Sequence, residues 1–339
     1  MEYPATRAQW LALRHKHISS TEASALFGLS PYTTAFELAV QKKQPSHDGE
    51  FGTFESNERS EWGLLQQRAI AARIAKVYGV KARAINGYAV HSLTHTRMGA
   101  SFDYEIIGVI EFPEPATDPI LRDMYLKHGA GILEVKNVDW LVFRDQWPEA
   151  DDGTREAPAH IEIQVQHQLA CIGRFWAAVG VLVGGNKLEL LVRERDDAVN
   201  AAIALKCAKF WDDLGKGVMP PIELPADAGI IAKLYRYSTP EKILDVQADE
   251  DEKITALCTE YRAAADVVKG GEDRKKTAKA QLLLLIGDAE RVLAKGFTIS
   301  ATSIADTEVA AFTRSGYRNV RITAQKPKKE KGNGSVVQG

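Results

Sequence analysis

Residues 132–137 read Ile-Leu-Glu-Val-Lys-Asn. On a strand, successive side chains alternate faces, so Glu134 and Lys136 project to one side and Val135 is buried on the other. Upstream, Ala100-Ser101-Phe102-Asp103 closes another candidate strand on an acid. An acid ending one strand, followed by an acid and a lysine two apart on the next, outlines a metal-dependent nuclease centre. Asp103 and Glu134 would pair as carboxylates on a hard divalent cation such as Mg²⁺. Lys136 would orient or deprotonate a water, or offset the charge of a scissile phosphate. Taken by itself, Glu-Val-Lys also suits any half-exposed antiparallel strand.

The hydrophobic periodicity around this run predicts an α/β fold: a central mixed sheet flanked by helices, with a helical C-terminal extension. Short helices are expected over 5–17, 20–28 and 35–42, and a long one over 57–78 that Gly79 ends. Strands follow over 80–91, 96–104 and 105–111. The proline-bearing stretch 112–131 reads as an insertion, and 146–158 as polar loop. A helix over 158–176 precedes strands over 178–184 and 188–194, joined at Gly184-Gly185-Asn186. Beyond these come a helix over 195–215 and a helix-rich stretch over 250–293, with Gly270-Gly271 as a break. A small β element over 294–324 and a basic, disordered tail complete the chain. The domain reading is a core over 1–219, an extension over 220–324 and a tail over 325–339.

A chain of 339 residues accommodates a large core with appendages. Its net charge of −2 argues against a protein that coats nucleic acid everywhere, yet allows a local basic groove. No run approaches the ~18 apolar residues of a membrane span, and no signal-peptide pattern opens the chain, so a cytoplasmic setting is expected. Cys171, Cys207 and Cys258 are odd in number and lack metal-ligand spacing. An iron–sulfur nuclease built on four cysteines is disfavoured.

Further motifs stand in order along the chain. Residues 14–32 begin Arg-His-Lys-His-Ile-Ser-Ser-Thr-Glu and end Ser-Pro-Tyr; residues 62–67 read Trp-Gly-Leu-Leu-Gln-Gln; residues 164–168 read Gln-Val-Gln-His-Gln, with Leu169-Ala170 following. Together with Asp103 and Glu134-Val135-Lys136, their order and spacing resemble the lambda-exonuclease / YqaJ-like viral recombinase family of phage nucleases, members of the PD-(D/E)XK superfamily. The resemblance spans roughly residues 10–195. The connection between Asp103 and Glu134 is longer than the family usually has.

The resemblance implies a PD-(D/E)XK restriction-endonuclease-like core and a 5′-to-3′ exonuclease on linear double-stranded DNA. Two Mg²⁺ ions are expected, with Mn²⁺ as a substitute, held by Asp103, Glu134 and the Val135 carbonyl. It further implies that Arg14 and a hydroxyl at Thr21 bind the 5′-terminal phosphate, and that Gln164 faces the active site. Ring-shaped homotrimers and a phage-type single-strand annealing partner of the RecT/Red-beta kind are also implied. Threonine at 21 stands where serine is usual. Gln67 stands where the family carries a glutamate; an amide can offer its oxygen to a cation but contributes no charge. The alternative is therefore a DNA-end-binding recombination protein whose catalysis is weakened or lost through Gln67.

Other residues remain open on spacing alone. Gln168 lies one helical turn from Gln164, whereas Gln166 and His167 point away. The glutamine cluster also fits a solvated helix face. Thr21 would cap a helix whose N–H groups hold an anion, or serve only as a cap, and His15, Lys16 and His17 add local positive potential. His91 and His95 sit on a strand–turn segment where their rings diverge, and take no metal. The seven basic residues of 312–339 suit either a phosphate-contacting arm or a solubilising tail.

Overall fold

The computed structural model describes residues 1–44, 58–110, 117–149, 151, 154–244, 247–305 and 318. They fall into two compact units that divide between Ile230 and Ile231. The first unit outruns the boundary expected at 219. Asp227 explains why: its carboxylate accepts from Thr34 Oγ1 and from the Glu223 N–H, and Ile230 is buried.

In the first unit α1 (Arg7–Lys16) is closed at its start by a capping box between Thr6 and Gln9, and leads into β1 (Ile18–Ser19). A 3₁₀ turn (Ala23–Phe27), α2 (Ala35–Lys43) and α3 (Glu58–Val77) follow. The segment expected as one strand over 80–91 divides into β2 (Val80–Ala84) and β3 (Tyr88–Val90). They serve different sheets. β3 pairs with β4 (Met98–Ser101), and β2 pairs with β5 (Tyr104–Val109).

The stretch expected as an insertion holds a helix, α4 (Pro119–His128). Asp118 caps it by accepting from the N–H groups of Ile120 and Leu121, and Pro119 occupies the first turn, where its missing N–H costs nothing. Next come β6 (Gly131–Val138) and an unforeseen short helix, α5 (Trp140–Gln146), capped by Asp139. α6 (Ala159–Ile172) stops earlier than expected, at Gly173 with φ of 72°, and frees Trp176 to open β7 (Trp176–Val183). β8 (Lys187–Glu194), α7 (Asp197–Gly215) and α8 (Ala228–Leu234) follow.

The main sheet has the order β2-β5-β6-β7-β8. Only β6 and β7 run parallel, which gives the central mixed sheet expected. The strand period of two separates its faces. Leu133 and Val135 join Ile70 and Ile74 of α3 in one core cluster, while Ile132 joins Val165 and Leu169 of α6 in the other. Glu134 and Lys136 therefore face α6. Gly131 is required where it stands, since a Cβ there would enter the Trp176 indole.

In the second unit α9 (Ala248–Ile286) runs through Gly270 and Gly271 without the expected break. A hairpin of β9 (Arg291–Ala294) and β10 (Phe297–Ser300) begins before the position expected for the β element. Of the rest of that element only residues 301–305 and 318 are described, and the tail over 325–339 lies outside the described residues. Among the described residues, no helix is long and apolar enough to cross a membrane.

Candidate active site

Asp103 sits at the bend between β4 and β5, and Glu134 and Lys136 lie on the neighbouring strand β6. Asp103 Oδ2 accepts the peptide N–H of Val135 at 2.8 Å, so one carboxylate is fixed to the main chain beside the other. Lys136 Nζ donates to Glu134 Oε1 at 2.7 Å and to Gln164 Oε1 at 3.0 Å. Gln164 Nε2 donates to Glu134 Oε1 at 2.6 Å, and Gln168 Nε2 donates to Glu134 Oε2 at 2.8 Å and to the Ser101 carbonyl at 3.1 Å. Gln67, on α3, adds a hydrogen bond to Asp103. The structure thus brings together Asp103, Glu134, Lys136, Gln164 and Gln67. Val135 contributes its backbone, and its side chain packs on the α3 face.

The electrostatics follow from burial. Desolvation, then the charge of Glu134, holds the Asp103 carboxyl well above the usual carboxylate range, against the pull of the Val135 N–H, Lys136 and Gln67. Burial alone would favour a neutral Lys136 amine, but Glu134 and Asp103 outweigh it and keep the ammonium charged. In this arrangement Lys136 is a donor to Glu134 and Gln164. Two crowded carboxylates with neutral amide and carbonyl oxygens around them suit a hard divalent cation. Among the described residues no group of three or more His, Cys, Asp or Glu side chains gathers at one point. A cation here would bind Asp103 and Glu134 and take further oxygen from the Val135 carbonyl or the Gln67 amide. The buried Gln168 Oε1 has no hydrogen-bond partner, which leaves an unused oxygen on a residue of the cluster.

Arg14 and Thr21 also meet. One Arg14 nitrogen donates to Ser19 Oγ at 3.1 Å, Thr21 Oγ1 at 3.3 Å and Glu22 Oε1 at 3.4 Å, and the guanidinium lies over the Trp10 ring. Lys42 Nζ donates to the carbonyls of Arg14 and His17 and to Glu22 Oε2. Burial opposes ionisation of Glu22, but Lys42 and Arg14 prevail and hold its pKa at about 2. One carboxylate thus faces two cations and two hydroxyls, and the cluster keeps a net positive charge.

Several local expectations are corrected. Thr21 is not a helix cap: the 3₁₀ turn has Glu22 at its N-cap, without a side-chain cap bond, and the Thr21 hydroxyl is engaged by Arg14 and Ser19. Burial, foremost, lowers the His17 pKa, so its ring does not supply the positive potential expected near neutrality. Gln166 bonds the Glu194 carbonyl and the Asp196 N–H, and buried His167 bonds the Gly99 carbonyl; both are structural.

Sequence reasoning missed Ser19 and Lys42 in the basic cluster, which no spacing rule points to. It quoted Tyr32 only as the end of a motif. The Tyr32 ring meets His160 edge-on, with centroids 5.8 Å apart, and burial, then the Lys136 charge, lowers the His160 pKa.

The family model described as YqaJ-like viral recombinase domain matches residues 9–174, which hold both clusters. That stretch, 166 of 339 residues, is just under half of the chain. An uncharacterized protein YqaJ from Bacillus subtilis (strain 168) is 26% identical over 290 residues, covering 84% of this chain and 80% of that protein. Among solved structures, an alkaline exonuclease (LHK-Exo) from Laribacter hongkongensis overlaps 62% of this chain and 93% of its own at 18% identity, with a TM-score of 0.42. The same enzyme in complex with dAMP overlaps the same shares at 19% identity, with a TM-score of 0.41. Gln168, the last residue of the carboxylate cluster, lies six residues before the C-terminal limit of the family match.

Proposed function

We propose that this chain is a Mg²⁺-dependent deoxyribonuclease that digests one strand of linear duplex DNA from its 5′ end. The observation that carries the reading is the buried pocket in which Asp103, Glu134 and a charged Lys136 converge, with Gln164 and Gln168 holding both oxygens of Glu134. Asp103 and Glu134 would hold the cation, which when bound would supply Lewis acidity to phosphodiester hydrolysis. Lys136 presents an ammonium where charge develops on the phosphate, and its two acceptors keep it aimed. Gln164 bridges Lys136 and Glu134 and fixes their separation. The Arg14, Ser19 and Thr21 cluster would take the 5′-phosphate, and this assignment gives the polarity. The product, a 3′ single strand, would pass to an annealing protein. A homotrimeric ring around the duplex would supply processivity without base contacts.

A specific observation favours one second reading. Gln67 engages Asp103 as a neutral hydrogen-bond partner and adds no third charge to the site. On that reading the protein binds DNA ends and turns over slowly or not at all.

The test is degradation of a blunt linear duplex with 5′-phosphates, labelled separately at its 5′ and 3′ ends, in Mg²⁺ and in EDTA. The nuclease reading expects prompt Mg²⁺-dependent release of the 5′ label that Glu134→Ala abolishes. Release of the 3′ label first would refute the polarity. Retained end binding without release would support the second reading.

A further inference from the structure

Helix α6 sets His160, Gln164 and Gln168 four residues apart, and so along one face. Gln164 and Gln168 grip Glu134, and Gln164 also accepts from Lys136. His160 stands one turn before them, in the first turn of the helix, and the Lys136 charge reaches its ring. The face that closes the carboxylate pocket therefore ends in an aromatic ring.

Tyr32 meets that ring from the loop before α2. It is 80% exposed, yet its loop is held from several sides. Ser30 Oγ accepts the N–H groups of both Tyr32 and Thr33, and Pro31 fixes its own φ between them. Thr33 Oγ1 donates to Glu37 Oε2, and Thr34 caps α2 and donates to buried Asp227. The backbone that carries the ring is thus fixed while the ring surface is free. With His160 edge-on to it, an aromatic face of Tyr32 stays open to solvent.

We propose that Tyr32, braced by His160, is a stacking platform for the base of the 5′-terminal nucleotide. The inference rests on the nuclease reading and adds a subsite to it. Asp103, Glu134, Lys136 and the two glutamines engage cation and phosphate; they offer no flat apolar surface to a base. The ring pair does, and it joins two parts of the molecule. Tyr32 closes the segment 14–32 that holds Arg14 and Thr21, and His160 belongs to the helix that grips Glu134. A terminal nucleotide with its 5′-phosphate at Arg14 and its 3′-phosphodiester at Lys136 carries its base one sugar away from both. Every base has a π face, so stacking holds any nucleotide without reading sequence, as digestion of an arbitrary duplex requires. Tyr32 is a positioning residue on this account: it sets how the phosphodiester is presented to Lys136 and touches no reacting atom.

The test is a cycle between protein and substrate. Duplexes with labelled 5′-phosphates end in either a normal nucleotide or an abasic tetrahydrofuran nucleotide, and each is given to the parent, Tyr32→Phe and Tyr32→Ala. The parent is expected to lose about fivefold or more in kcat/KM on the abasic end. Tyr32→Ala is expected to lose the same factor on the normal end and little further on the abasic one, and Tyr32→Phe to match the parent on both. Equal losses by Tyr32→Ala on the two ends would overturn the proposal, and so would a Tyr32→Phe that falls with Tyr32→Ala, since the hydroxyl would then be the active group. Where the parent binds ends but releases no label, the nuclease reading fails and anisotropy of the same ends in EDTA decides the stacking. A preference for the normal end that Tyr32→Ala abolishes would support it, and equal binding of both ends by the parent would overturn it. A parent that binds neither end overturns both readings.

Discussion

Gln168 donates to Glu134 Oε2 at 2.8 Å, one helical turn beyond Gln164, which donates to Oε1 of the same carboxylate at 2.6 Å. Helix α6 thus grips both oxygens of a buried acid on the neighbouring strand. Gln168→Ala releases one of them while leaving Lys136 and Gln164 in place. The expected result is a loss of about 10–100-fold in nuclease rate with end binding retained, as for other residues that orient a ligand. Initial rates on labelled duplex, with end binding measured by anisotropy, check it. A rate within twofold of the parent would mean that Gln164 orients Glu134 unaided.

Gln67→Glu would place a third carboxylate against Asp103 and Glu134. Without divalent cation this adds like-charge repulsion and lowers thermal stability; with Mg²⁺ the repulsion is relieved. The upward shift of melting temperature on adding Mg²⁺ is therefore expected to be larger in the variant than in the parent. The rate separates the two functional readings. A large gain supports a site silenced by Gln67, and no gain shows the amide to be a sufficient partner.

Arg14→Ala removes the donor that links Ser19, Thr21 and Glu22. Hydrogen bonds to charged groups are worth about 1.5–3 kcal/mol, so the preference for 5′-phosphate over 5′-hydroxyl ends is expected to fall at least tenfold. Competition between the two ends for the parent and the variant reads this directly. Binding that weakens equally for both ends would assign Arg14 to general backbone attraction.

His167 and Glu22 each lose a stabilising effect in acid, in separate pH windows. Burial lowers the His167 pKa from 6.5 to about 4, so the folded ring stays neutral while the unfolded one takes a proton. Its contribution is complete above pH 6.5 and is lost as pH falls toward 4, at most about 3 kcal/mol at 1.36 kcal/mol per unit. Glu22, held down to about 2 from 4.5, contributes above pH 4.5 and loses its effect as pH falls toward 2. Asp103, held up at about 7, works the other way between pH 7 and 3.8, so urea denaturation of the parent and of His167→Gln side by side, rather than the parent's own slope, isolates the ring. His167→Gln should flatten the slope between 6.5 and 4 alone. An unchanged slope would show that the ring protonates in the folded state.

The carboxylate cluster was legible because it rests on two periods. Alternation along β6 puts Glu134 and Lys136 together, and the helical turn puts Gln164 and Gln168 on one face of α6. The basic cluster was legible only in part. Arg14 and Thr21 belong to a motif, but Lys42 reaches them from α2 by bonding main-chain carbonyls, which no sequence pattern encodes. The helix α4 was hidden by Pro119, a residue that ends helices in their interior yet suits their first turn. At Gly270-Gly271 the local signal was real, since each glycine costs a helix about 1 kcal/mol relative to alanine. The helix of 39 residues nevertheless runs through them.

The bond from the Val135 N–H to Asp103 has a consequence for timing. It spans the bend between β4 and β5 on one side and the middle of β6 on the other, so the two acids reach their spacing when β5 docks on β6, before any cation arrives. The pocket is a by-product of strand docking, and its affinity for a cation is tied to the free energy of that docking. Fraying of the β5–β6 pair and loss of the ion would then be one event, and amide hydrogen exchange at Val135 would follow both.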